Sequence, residues 1–219
     1  MNYRAIIITI LVLLFQCQAF GQEGWSIYTF GDICSFRIPP TMELRDVDSR
    51  MGTIFNELVN QYSIIFGENP ADREIKFQPK GINSGDEELV KKATSVYSRI
   101  LIADFSGDFP SQSDVEKATI ADIKKVDEVF KKQVVESFSY YGPGQKIEWF
   151  PLKRVKIDGK YALVSTYKRL SLKGGLVKVR EYKFFLTDHL VRITVSYRES
   201  ESSLWEQDLD SFINSLKFN

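Results

Sequence analysis

The 219-residue sequence predicts an α+β fold: an antiparallel β-sheet with a C-terminal four-strand meander, flanked by helices. Three observations carry that expectation. From Ile147 onward β-prone runs alternate with short turn signals, Ser111 to Phe138 places apolar side chains at helical spacing, and Trp205 to Leu216 repeats that spacing behind a capping signal.

Taken in chain order, Met1 to Arg4 is a short cationic start, Ala5 to Phe15 an apolar run broken only by Thr9, and Gln16 to Gln22 a polar exit. This is the layout of a secretory signal peptide. A spanning helix needs about 20 apolar residues, more than this run supplies. Ala19 and Gly21 are the small residues a signal peptidase reads, so cleavage is expected before Gln22, leaving one domain over residues 22–219. The competing reading is a lipid anchor on Cys17, disfavoured because Gln16 stands where lipoprotein processing wants a small residue.

Trp25 to Phe30 and Ile33 to Ile38 read as a hairpin about Gly31-Asp32, ended by Pro39-Pro40. Met51, Ile54, Phe55 and Leu58 predict a helix over Met51 to Asn60, and Gln61 to Phe66 fits helix or strand. Ile75 to Gln78 is extended, Asp86 to Lys92 a short helix, and Val96 to Phe105 a strand apolar on both faces, hence central. In Ser111 to Phe138 the stripe is Val115, Thr119, Ile123, Val126, Phe130, Val134 and Phe138, capped by Ser113 or Asp114 and stopped by Gly142-Pro143-Gly144.

The meander breaks at Asp158-Gly159, Gly174-Gly175 and Asp188-His189. A two-residue turn at Asp188-His189 sets Phe184 against Ile193, Tyr182 against Val195 and Arg180 against Tyr197. The same rule at Gly174-Gly175 sets Lys173 against Leu176, Leu163 beside Leu186 and Tyr167 beside Tyr182. One face is then apolar, and the other carries Lys168 beside Glu181, Lys183 beside Thr166 and Thr194, with Arg192 and Arg198 nearby. For the Asp158-Gly159 hairpin neither register matches apolar residues. Ser203 and Glu206 form an S-x-x-E capping box for the last helix, whose Trp205, Leu209, Phe212, Ile213 and Leu216 face the sheet.

Composition narrows function mainly by exclusion. The 29 Lys and Arg balance 29 Asp and Glu, and only Arg4 leaves with the signal, so no positive field for nucleic acid remains. With Cys17 removed, Cys34 has no intramolecular partner and reads as a small buried hydrophobe in an apolar strand. His189, the one histidine, is placed in a hairpin turn, where it lacks the burial and orienting partner a catalytic triad needs. Histidine and cysteine counts exclude a metal site rich in them, no cofactor motif is present, and the acidic runs match no calcium loop. Glu148, Asp158, Glu181, Asp188 and Glu199 are the carboxylates open to a hydrolase, although turns account for Asp158 and Asp188 and the pairing with Lys168 for Glu181.

Two surfaces are candidates for binding. Tyr140, Tyr141, Trp149 and Phe150 cluster around Gly142-Pro143-Gly144, where exposed rings would suit a sugar, peptide or protein and buried ones would cap the core. The face bearing Lys168, Lys183, Arg192 and Arg198 would take an anionic partner, unless it is solvated or covered by a helix.

The closing pattern "IDGKYALVSTYKR", two further antiparallel strands and "ITVSYRESESSLWEQDLDSFINSLKF" resembles the PsbP-like fold, and "WSIYTFGDICSFRIPPTMELR" is similar to its opening strands. That fold spans extrinsic photosystem subunits, a Ran-binding import factor and exported bacterial proteins, and the resemblance implies an α/β/α sandwich without carrying over any functional residue. The expectation is an exported, non-catalytic binding or assembly domain of the bacterial cell envelope, with an envelope protein or polymer as partner, no nucleic acid, no permanent membrane span and no cofactor. A carboxylate-dependent hydrolase of an envelope polymer is the alternative.

Overall fold

The computed structural model describes residues 24–45, 73–139, 146–171 and 174–219. The leader with Cys17 and the Gln22 cleavage point, the Met51 to Asn60 helix, Gln61 to Phe66, Gly142-Pro143-Gly144 and Lys173 lie outside the described residues. In order the elements are β1 (Ser26–Phe30), β2 (Cys34–Ile38), β3 (Met42–Leu44), β4 (Arg73–Pro79), α1 (Glu87–Ser95), β5 (Ser98–Ser106), α2 (Gln112–Lys117) and α3 (Ile120–Ser139). β6 (Glu148–Ile157), β7 (Lys160–Leu170), β8 (Leu176–Phe185), β9 (His189–Arg198), α4 (Ser202–Asn214) and β10 (Lys217–Phe218) follow, with a short 3₁₀ turn at Glu199–Glu201.

β3 to β9 form one antiparallel sheet in the order β3-β4-β5-β9-β8-β7-β6, and β1, β2 and β10 a smaller one. The α+β class and the four-strand meander β6 to β9 are as the sequence predicts. So are the β1–β2 hairpin and the central position of β5, between β4 and β9. One face of the large sheet carries Phe77, Ile100, Ile102, Phe184, Val191, Ile193 and Val195 under α4 and the small sheet. Trp205, Leu209, Phe212, Ile213 and Leu216 enter that core as the helical spacing requires. The other face meets α2 and α3 through Val115, Leu152, Leu163 and Phe185, and through Tyr167, Val177 and Val179.

The long helical stretch is two helices. Ser111 and Asp114 make a reciprocal capping box on α2, in place of the expected Ser113 or Asp114 cap, and the Ser111 hydroxyl holds the Asp114 carboxyl below its usual range. Thr119, counted in the apolar stripe, instead caps α3: its hydroxyl accepts from Asp122 N–H at 3.2 Å while Asp122 accepts from Thr119 N–H at 3.0 Å. Arg154 fixes the break by donating to the carbonyls of Val115, Glu116 and Ala118 at the end of α2.

Three registers depart from expectation, each for a local reason. At the β8–β9 turn Phe185 pairs with Leu190, Phe184 with Val191 and Tyr182 with Ile193, two residues away from the predicted pairing. The turn is Thr187-Asp188, with Thr187 at φ 68° and Asp188 N–H donating to Leu186 C=O. It is held by the Gly107 and Phe109 amides on the Asp188 and Thr187 carbonyls. A shift of two keeps every side chain on its predicted face.

The β7–β8 connection is longer than the Gly174-Gly175 turn, with Leu170 against Leu176, Tyr167 against Val179 and Leu163 against Lys183. That odd shift reverses β7, so Ala162 and Val164 join Phe184 and Tyr182 while Leu163 and Tyr167 face the α2–α3 side. In β6–β7 the turn is Asp158-Gly159, both at positive φ, but pairing slips between Phe150 and Lys153. The extra residue lies beside Pro151, which has no N–H for the ladder, and this bulge is why no single register matched.

The capping box expected at Ser203 does not form. α4 follows the Glu199–Glu201 turn without a side-chain cap, and Glu206 reaches Lys178 at 2.7 Å instead.

Candidate functional site

The predicted polar face is a covered, internally paired layer. Lys183 and Arg192 are cross-strand partners, and both address Glu181, at 3.0 Å and 3.7 Å. The Lys183 ammonium also lies 4.3 Å from the centre of the Phe130 ring of α3. Burial pushes the Glu181 carboxyl up, Lys183 and then Arg192 pull it down, and the cations prevail. Arg198 is tied to Glu201 and to the Ser95 carbonyl. Lys168 lies on the opposite face, across from Lys178, and bonds Glu199 at 2.7 Å and Glu148 at 3.4 Å, so the predicted Lys168–Glu181 pairing is absent. Lys168, Lys183, Arg192 and Arg198 therefore do not form one surface.

Of the aromatic candidates, Tyr140 and Tyr141 lie outside the described residues. Trp149 stacks on Tyr167 with centroids 5.8 Å apart. Its indole N–H donates to Asp127 Oδ1 at 2.9 Å, and the same oxygen accepts from the Leu152 amide at the β6 bulge at 2.8 Å. Asp127 thus pins the bulge to α3, and Trp149 joins helix to sheet.

His189 is the first residue of β9 rather than a turn residue, and it has the orienting partner denied to it above. Its Nδ1 is 3.0 Å from Oδ1 of Asp104, a carboxylate with 1% of its side chain exposed, which Arg73 also meets at 3.2 Å. Arg73 in turn closes on the β1–β2 turn, where a Cβ at Gly31 would stand 1.9 Å from a guanidinium nitrogen. Nε2 of His189 points to a second carboxylate, Asp188, at 3.7 Å. A histidine lodged between two carboxylates is positioned by them, whereas triad chemistry needs a nucleophile at Nε2. The other carboxylates are likewise engaged: Asp158 takes Lys217 Nζ and the Phe218 amide, while Glu148 and Glu199 flank the Lys168 ammonium where a scissile oxygen would have to sit. No group of three or more His, Cys, Asp or Glu arranged to hold a metal occurs among the described residues.

Strand pairing also builds a site the sequence reading missed. At the β3–β4–β5 side of the large sheet, Arg45 after β3, Lys76 on β4 and Arg99 on β5 line, with Thr94, Tyr97 and Ser98, a pocket of about 150 Å³. Lys76 pairs with Glu74. Ser98 is 3% exposed, and its Oγ has no hydrogen-bond partner among the described residues. The Tyr97 hydroxyl lies 3.2 Å from Ser196 Oγ. Burial pushes this phenol up, but Arg99, the Ser196 hydroxyl and Arg169 together leave it below its usual value. Burial lowers Arg45, and repulsion from Arg99 lowers it further against the opposing pull of Glu74. These residues are dispersed in sequence, so no motif marks them.

No protein-family model and no curated protein matches the chain. Among solved structures, it is similar to the cyanobacterial PsbP protein CyanoP of Synechocystis, at 14% identity over 90% of this chain and 93% of that one, with a TM-score of 0.50. LpqN of Mycobacterium tuberculosis, described as involved in cell envelope biogenesis, is 9% identical over 89% of this chain and 90% of that one, with a TM-score of 0.46. A Bacteroides thetaiotaomicron protein is 8% identical over 85% of this chain, which spans 45% of that protein, with a TM-score of 0.44. Identities this low speak to architecture and not to activity. The antiparallel sheet with helices on both faces, together with the likeness to CyanoP, gives this chain the PsbP-like α+β fold.

Proposed function

We propose that the chain is an exported, non-catalytic binding or assembly domain of the bacterial cell envelope, with residues 1–21 as signal peptide and residues 22–219 as one domain. The observation that carries this reading is how the reactive groups are used. His189, Asp104, Glu181 and Asp158 are each engaged in contacts that hold the fold together, and Arg45, Lys76 and Arg99 line one pocket. Among the described residues no helix is long and apolar enough to cross a membrane. The hydrolase alternative would have to work through Glu148 and Glu199, the two carboxylates that meet around Lys168.

Co-sedimentation of the mature protein with isolated envelopes, with mass spectrometry of the supernatant, tests the reading. Saturable co-sedimentation without release of polymer fragments is expected. Release of fragments that Glu148→Gln or Glu199→Gln abolishes would establish the hydrolase instead, and absence of co-sedimentation would overturn the binding role. Mass spectrometry of the exported N-terminus tests the address: a chain starting at Gln22 is expected, and a lipidated Cys17 would refute the soluble form.

A further inference from the structure

A sheet edge is a row of main-chain donors and acceptors open to any strand that reaches it, and folds close their edges by recognisable means. Three of the four edges of the two described sheets are closed in this way. β3 is three residues long, and the Asn83 side chain donates to its Leu44 carbonyl at 2.7 Å. β6 carries Pro151, a bulge, Lys153, Arg154 and Lys156, and Asp127 takes its Leu152 amide at 2.8 Å. β10 is two residues long, and Asp158 takes its Phe218 amide at 2.8 Å. Each of these edges combines brevity, charge or proline with a side chain bonded to the backbone.

β1, the fourth edge, has none of these devices among the described residues. Its five residues, Ser26 to Phe30, include no charge and no proline, and Ile27, Tyr28, Thr29 and Phe30 are all strand formers. Among the described residues it pairs with β2 on one side only. Alternation turns Tyr28 and Phe30 into the core, where the Tyr28 ring meets Phe77 edge-on at 4.9 Å, and turns Ile27 and Thr29 outward. Ile27 is left 71% exposed. A large aliphatic side chain on an unguarded edge marks a place where another strand adds.

We propose that β1 is the dimer edge of this chain, joining antiparallel to β1 of a second copy about a twofold axis. Charge and chain length select that occupant. β1 offers no ionic partner, so an uncharged strand fits against Ile27 and Thr29 whereas a charged one would leave its charge unpaired. β1 itself is such a strand. The mature chain proposed above starts at Gln22, so only Gln22 and Glu23 of it precede the described residues, too few to turn back over a five-residue edge. Outward side chains must oppose outward side chains, which sets Ile27 against either Ile27 or Thr29 of the second copy, and the first register covers both isoleucines. The two three-stranded sheets then become one of six strands. The inference takes from the proposed function only the start at Gln22 and does not depend on envelope binding.

The test is sedimentation velocity of the mature chain from about 1 µM to about 500 µM, with hydrogen exchange of the β1 peptide read by mass spectrometry at both ends of that range. A five-residue ladder is a small interface, so dimers are expected toward the upper end, with β1 amides slowing as they form. Ile27→Lys should weaken the dimer about tenfold or more without lowering the melting temperature, since the side chain it replaces lies on the outer face. Thr29→Lys is the second variant and should act in the same direction. A monomer at every concentration would overturn the proposal, whether β1 exchanges fast, as an edge left to water, or slowly, as an edge covered within the chain. So would a dimer that both variants leave unchanged, or β1 protection that arises only when envelopes are added, which would give the edge to another partner. Envelope co-sedimentation is a separate readout. Its absence in the unaltered chain sinks the binding-domain reading and leaves the dimer standing, and its persistence in a chain that stays monomeric does the reverse.

Discussion

Lys183→Ala separates the structure most sharply from the sequence. On a solvated polar face the change should cost no more than about 0.5 kcal/mol. In the fold, Lys183 has 12% of its side chain exposed and sits 3.0 Å from a Glu181 carboxylate that is 11% exposed, beneath the Phe130 ring. Removing one partner of a buried pair costs about 3 to 5 kcal/mol when nothing else compensates the charge that is left. Arg192 remains, but at 3.7 Å it is beyond hydrogen-bond reach, so it recovers only part of that loss. The expected destabilisation is about 2 to 3 kcal/mol at pH 7. With a urea slope of about 2 kcal/mol/M, the midpoint should fall by about 1 M or slightly more.

The pH dependence checks the mechanism. Glu181 is held below its ordinary value, so its contribution is fully present above the unfolded carboxyl pKa of about 4.3 and is lost as pH falls through the lower folded value. Lys183→Ala removes the main group that depresses it. The deficit should therefore be largest near neutrality and smallest in acid, as pH falls through the lowered folded value and the carboxyl takes up its proton. The double change Glu181→Leu with Lys183→Met should recover most of the loss, since it removes both charges. A Lys183→Ala midpoint within about 0.2 M of the unaltered protein at pH 7, or a deficit equal at neutrality and in acid, would refute the buried-pair reasoning.

Phe184→Ala should destabilise by about 3 to 5 kcal/mol in the same urea assay, because Phe184 is fully buried and packs 4.6 Å from Phe218 of β10. Cys34→Ala should cost about 1 to 2 kcal/mol and leave envelope binding unchanged. Burial first and Asp104 second push this thiol up to about 12, so thiol labelling at pH 8 should proceed only through unfolding. Asp127→Ala strands the Trp149 indole and the Leu152 amide and should cost about 1 to 3 kcal/mol with a shift in Trp149 fluorescence. Asp127→Asn, which keeps an acceptor oxygen, should be milder, and equal effects of the two would refute the shared-acceptor role.

The sequence by itself determined the α+β class, the β1–β2 hairpin, the central strand β5, the meander and the buried face of α4. Each follows from local turn chemistry or from a period that can be read in one segment, and Cys34 in an apolar strand was legible for the same reason. Tertiary structure decided everything that depends on a partner distant in the chain. β7 is apolar on both faces, so alternation could not choose its orientation, and the longer connection to β8 fixed it. The Thr187 turn takes a positive φ that threonine disfavours and is held there by amides of the β5–α2 loop. Glu181, Lys183 and Arg192 read as a polar face open to a partner, to solvent or to a covering helix, because nothing local announces that Phe130 of α3 lies against Lys183. His189 read as a turn residue because Asp104, which orients it, is 85 positions away. Arg45, Lys76 and Arg99 share no motif, since β3-β4-β5 pairing alone brings three separated cations to one pocket.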